Sequence, residues 1–195
     1  MGTLIEPALA FAPDLLLAAR GAGAGIGAAI FDVDGVLTDG RIYVGADGES
    51  FKAFSTLDGQ GMKLLADAGI VPVVVTGRDS AAVRRRMADL GVVHAAYGAA
   101  DKMAAAATLV DGLRLDWDRV AAMGDDWPDL PILRRAAFAC APPHAHVEVR
   151  AVAHHVTAAA AGHGAAREFC DVLLVASGRY AELLRGPQFA RDGAR

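Results

Sequence analysis

Short strand signals recur along this chain at residues 28–31, 71–75, 94–97, 120–123, 137–140 and 154–157, and stretches of helical period separate them. That alternation restricts the fold more than any other feature. Ser80 stands where it can cap a helix whose Val83, Met87 and Leu90 share a face, and Phe169, Leu173 and Ala176 repeat at helical spacing near the end. Strands joined through helices pair in parallel by right-handed crossovers, so the sequence predicts an α/β protein with a doubly wound parallel sheet. In such sheets ligands bind beyond the carboxyl ends of the strands.

The charged motifs of this chain fall at those ends. Ile30-Phe31-Asp32-Val33-Asp34-Gly35-Val36 closes the first run with two aspartates one residue apart and a glycine turn behind them. Alternate strand residues share a face, so Asp32 and Asp34 can converge on one point. One carboxylate could attack phosphorus while the other handles the proton. Two like charges held together call for a cation, which predicts Mg2+. Val73-Val74-Val75-Thr76-Gly77-Arg78 adds a hydroxyl and a guanidinium that can donate to phosphate oxygens, and Lys102 adds an ammonium. Gly124-Asp125-Asp126-Trp127-Pro128-Asp129 supplies further carboxylates for a hard cation. From these parts we expect a metal held by the Asp32 carboxylate, the Asp34 carbonyl and Asp125, with Thr76 and Lys102 on the phosphate. Asp126 and Asp129 would orient metal-bound waters or Lys102 from behind.

Taken together and in this order, Asp32-x-Asp34, Thr76, Lys102 and Gly124-Asp125-Asp126-x-x-Asp129 resemble the four motifs of the haloacid dehalogenase superfamily of phosphatases. A narrower resemblance, spread over about residues 28 to 185, is to the 3-deoxy-D-manno-octulosonate 8-phosphate phosphatases of lipopolysaccharide sugar synthesis. It is carried by Asp34 to Gly40, Leu57-Asp58-Gly59-Gln60-Gly61, Thr76 to Ser80, Gly124 to Pro131 and Gly162 to Glu168. The resemblance implies an aspartyl-phosphate mechanism, a small-molecule sugar phosphate as partner and a homotetramer in which hairpins of neighbouring chains roof each site. It also implies substrate contacts at Ser55, Thr56, Leu57, Asp58, Gly59, Lys63, Arg78 and Arg86. Ser55, Leu57 and Lys63 depart from residues often found in that family, so a related substrate such as a sialic acid phosphate stays open. A non-catalytic role, like that of similar domains fused to sugar nucleotidyltransferases, is the other alternative.

Other function classes fit poorly. A calcium loop would need a ligand where Val36 sits. The 23 acidic residues exceed the 19 basic ones, and no basic tract other than Arg84-Arg85-Arg86 offers itself to nucleic acid. The only cysteines, Cys140 and Cys170, have no metal-ligand spacing, and a reducing, cytoplasmic setting is expected. Residues 4–19 are apolar, but Glu6, Pro7, Pro13 and Asp14 interrupt them too soon for a membrane span. We expect an N-terminal helix and a flexible Gly-rich lead-in over 1–27, the phosphatase domain over 28–185 and a mobile tail over 186–195. Within the domain, 41–54 reads as a β-hairpin insertion turning at Asp47-Gly48, too short to be a separate cap domain. Its Ile42, Tyr43, Val44, Phe51 and Phe54 would need a partner surface.

Overall fold

A computed structural model of the chain describes residues 6–186. The elements run α1 (Pro13–Ala18), β1 (Ala28–Phe31), β2 (Tyr43–Gly45), β3 (Gly48–Phe51), α2 (Thr56–Asp67), β4 (Val71–Val75), α3 (Ala81–Leu90) and β5 (His94–Ala96). They continue with α4 (Lys102–Gly112), β6 (Val120–Met123), α5 (Leu130–Arg135), β7 (Phe138–Ala141), α6 (Val147–Val152), β8 (His155–Val156), α7 (Ala165–Ala176) and α8 (Tyr180–Leu184). Six strands form one sheet in the order β5-β4-β1-β6-β7-β8, every pair parallel. The expected doubly wound α/β architecture is therefore present, with a separate two-stranded hairpin, β2–β3.

β1 sits at the centre with all four residues buried, because both of its faces are covered. Its alternation assigns each neighbour to a different half of the core. Phe31 packs with Phe138, Phe169, Met62 and Leu65 under α2 and α7, its ring meeting that of Phe169 edge-on at 5.4 Å. Ile30 joins Val73, Val75, Val110, Leu133 and Val149 on the opposite face. Each fully buried side chain of this size contributes roughly 1.5–3 kcal/mol. The consequence for function is positional. β4, β1 and β6 are adjacent and parallel, so residues just past Val75, Phe31 and Met123 leave the sheet along one edge.

Several local expectations are corrected. Among the described residues the N-terminal helix is only α1, with Pro13 in its first turn, and residues 6–12 are not helical. Phe11, Leu15 and Leu16 still pack it on the core. The Gly-rich stretch is hydrogen-bonded to the segment before β6: Ala22 N donates to Asp118 O, Gly27 N to Arg119 O, and Arg119 Nε to Gly25 O at 2.9 Å. The hairpin turns at Ala46-Asp47, since Gly45 pairs with Gly48. His154 and His155 have structural partners, His155 Nε2 lying 2.8 Å from Glu168 Oε1 and His154 Nδ1 accepting from Ala139 N. Burial pushes both cysteine thiols up, which suits inert core residues. Among the described residues no helix is long and apolar enough to cross a membrane. Residues 1–5 and 187–195, and with the latter nearly all of the expected tail, lie outside the described residues.

Candidate active site

The chain leaves β1 through a tight loop. Asp32 N still donates to Met123 O in the ladder, after which Leu37 N and Thr38 N both return to Val33 O. Asp32 is buried, whereas Asp34 is half-buried and opens toward solvent. Gly35 makes the loop possible, with φ at +90° and no room for a side chain: a Cβ there would stand 2.0 Å from Asp125 Oδ2.

Asp125 follows β6, and Asp129 organises the turn around it. Asp129 Oδ2 accepts from Asp125 N at 3.1 Å and Asp126 N at 3.3 Å, while its Oδ1 takes Lys102 Nζ at 2.8 Å. Gly124 permits this approach, since a Cβ would meet that of Asp129 at 2.4 Å. Lys102 opens α4, which Asp101 caps by accepting from Ala104 N. Its ammonium also forms an ion pair with Asp32 Oδ1 at 2.8 Å, off the line of a hydrogen bond. Carboxylate oxygens of Asp32, Asp125 and Asp129 lie within 4.8 Å of one another.

Burial, followed by the charge of Asp129, raises Asp32 to about 6 despite Lys102. Burial, with the charges of Asp32 and Asp129, raises Asp125 to about 8. Burial alone would lower Lys102, but together the Asp32 and Asp129 carboxylates outweigh it and hold the ammonium above its usual range. Crowded oxygens that resist ionisation suit a hard divalent cation. Asp32 and Asp125 are the candidate ligands, because both Asp129 oxygens already have donors. Asp126 is exposed, and its carbonyl accepts from Asp129 N at 2.9 Å.

Thr76, buried at the end of β4, accepts from Arg78 N at 3.4 Å. Arg78 reaches toward Asp34, its Nε 4.0 Å from Oδ2. Two residues that the sequence reading missed meet it there. Lys52, just past β3, donates to Asp34 Oδ1 and lies 3.3 Å from Glu49 Oε2. Glu49 also accepts from Arg78 Nη2 at 3.3 Å and from Ser80 Oγ. Ser80 thus occupies the N-cap position of α3 but gives its hydroxyl to the hairpin instead. The signal was present as charges three residues apart on a short insertion, but only the folded position of the hairpin aims them.

The expected substrate contacts divide. Ser55 caps α2 by accepting from Leu57 N, Arg86 Nη2 donates to Ser55 O at 3.3 Å, and Gly59 leaves the space that the Arg86 guanidinium fills. Thr56, Leu57 and Lys63 are exposed on α2. Asp58 is buried, and its carboxylate accepts from Gly164 N and Arg167 N, closing the N-terminus of α7.

Known proteins resemble this chain in sequence and fold. A family profile described as haloacid dehalogenase-like hydrolase matches residues 97–169. The 3-deoxy-D-manno-octulosonate 8-phosphate phosphatase of Salmonella typhi is 40% identical over 153 residues, 78% of this chain and 81% of that protein. The crystal structure of the phosphatase of the same name from Moraxella catarrhalis, in complex with magnesium ion, phosphate ion and the sugar acid, superposes with a TM-score of 0.82 at 35% identity, covering 88% of this chain and 96% of that one. The cobalt-bound form of the Haemophilus influenzae phosphatase gives 0.80 at 37% identity, covering 85% and 96%.

Proposed function

The chain belongs to the 3-deoxy-D-manno-octulosonate 8-phosphate phosphatase family, and we propose that it hydrolyses that phosphomonoester to the free sugar acid and inorganic phosphate with Mg2+ as cofactor. The observation that carries the proposal is the convergence of Asp32, Asp125 and Lys102 beyond the parallel sheet, with Asp34 two residues on from Asp32.

The roles follow from what each group touches. Asp32 is buried beside Lys102, whose charge favours the ionised carboxylate that attacks phosphorus in line. As the ester P–O bond breaks, Asp34 gives its proton to the leaving sugar oxygen. It then takes a proton from the water that hydrolyses the aspartyl-phosphate, which regenerates Asp32 and releases phosphate. Lys102 and Thr76 bind the equatorial phosphoryl oxygens, and Asp129 holds Lys102 in place. Mg2+, held by Asp32, Asp125 and the Asp34 carbonyl, would supply positive charge against the incoming phosphate.

The sugar-acid end would meet Ser55, Thr56, Leu57, Gly59, Lys63, Arg78 and Arg86, with the arginines and lysine available to its carboxylate. A homotetramer in the cytoplasm fits the hairpin, where Val44 is 73% and Phe51 55% exposed. The test is phosphate release across a panel of sugar phosphates with and without Mg2+. Release from the octulosonate phosphate that needs Mg2+ supports the proposal; turnover only of a different sugar phosphate overturns the substrate, and none at all overturns the activity.

A further inference from the structure

Lys52 is a lysine with no exposed side-chain surface, which few lysines tolerate. Its ammonium is bonded to Asp34 Oδ1 and paired with Glu49 Oε2 at 3.3 Å. Glu49 is itself held below the usual carboxylate range by the Ser80 hydroxyl first, with Lys52 and Arg78 adding to the effect. Arg78 completes a ring, 3.3 Å from Glu49 Oε2 and 4.0 Å from Asp34 Oδ2. The two strands of the hairpin that carries Glu49 and Lys52 are largely exposed.

Holding a hairpin in place does not require buried ions, since apolar residues of similar volume do it as well or better. The polar choice is explained by its target. A carboxylate turns broadly about its last torsion, so an unpartnered Asp34 would sample many planes. A bond to Oδ1 fixes the plane and leaves Oδ2 for the reacting oxygen. We propose that Lys52, braced by Glu49, is a positioning residue for Asp34, so that each chain's own hairpin aligns the acid and base of its own site. This rests on the reading of Asp34 as acid and base given above.

The experiment compares kcat/KM, which reports the first phosphoryl transfer, on two substrates. An alkyl sugar phosphate needs its leaving oxygen protonated, whereas dinitrophenyl phosphate does not. Asp34→Asn sets the benchmark and should lose far more on the alkyl ester. Lys52→Met should show a split of the same direction, on the order of 10–100-fold, a part of the roughly 10²–10⁴-fold that a positioned proton donor contributes. Lys52→Arg should recover part of it, and Glu49→Gln should give a smaller split. Circular dichroism and thermal melts establish that the variants are folded, and Lys52→Arg with Glu49→Gln carries the test if Lys52→Met is not. Equal losses on both substrates, or no loss, in the folded Lys52 or Glu49 variants overturn the proposal. If Asp34→Asn itself shows no split, the acid–base reading fails and the Lys52 proposal falls with it.

Discussion

Replacing Gly35 by alanine adds a single methyl group and should disable the site while leaving the fold standing. At φ +90° an L side chain costs about 1–2 kcal/mol. For a domain of this size, that lowers the melting temperature by roughly 2–8 °C. The larger effect is steric. The new Cβ would stand 2.0 Å from Asp125 Oδ2 and 2.4 Å from its Cγ, against an ordinary contact of about 3.5–4 Å. Asp125 cannot back away as a unit, because its N donates to Asp129 and its carbonyl accepts from His146 N at 2.8 Å. Its carboxylate must therefore swing by about 1 Å or more, and a misplacement of that size costs on the order of 10²-fold in rate. The assays are phosphate release, thermal melts and a Mg2+ titration followed by thermal shift. Activity within about threefold of wild type, with an unchanged Mg2+ response, would refute the argument that Gly35 exists to seat Asp125.

Asp32→Asn should remove activity by ~10³-fold or more while the protein melts normally, because an amide cannot attack phosphorus; appreciable turnover by the pure variant counts against the nucleophile assignment. Asp58→Ala should destabilise by about 2–5 kcal/mol, since buried Gly164 N and part-buried Arg167 N lose their acceptor, with activity per folded molecule retained; a melt like that of wild type, or a selective rise in KM, would support a substrate role. In chelator, stability should fall as pH rises. Asp32 and Asp125 are raised to about 6 and about 8, so their contribution is full below the unfolded carboxylate range and is lost as pH climbs through those values. Melts from about pH 5 to pH 8 should show this decline, and Mg2+ should reverse it; a flat profile in EDTA contradicts the crowded-carboxylate picture.

Much of this architecture is legible in the chain because it depends on local period. The runs ending at Phe31, Val75 and Met123 are continuous and apolar, and parallel pairing carries whatever follows them to one edge. Asp58 illustrates what a motif conceals. It belongs to a buried helical stripe with Met62 and Leu65, spaced by four and seven residues, and such a stripe faces the core rather than a ligand. Glu49, Lys52 and Ser80 were not legible for the opposite reason: residues 31 apart meet only because the hairpin folds back over the end of β4. The extent of α1 was readable from its prolines, which stop a helix from reaching back toward residue 4.

The ionic arrangement also bears on metal binding. Asp34 has Lys52, Glu49 has Lys52 and Arg78, and Asp32 and Asp129 share Lys102. Among the described residues Asp125 has no lysine or arginine within ion-pair distance, and it is also the carboxylate raised furthest. It is half-buried beside Asp32 and overlaid by Gly35, which has no side chain to offer it. Without a cation, Asp125 therefore keeps its proton near neutral pH. The protein supplies fixed cations to Asp32 and Asp34 but none to Asp125, so Mg2+ binding is expected to release a proton from Asp125, which a Mg2+ titration in weak buffer would read as acidification.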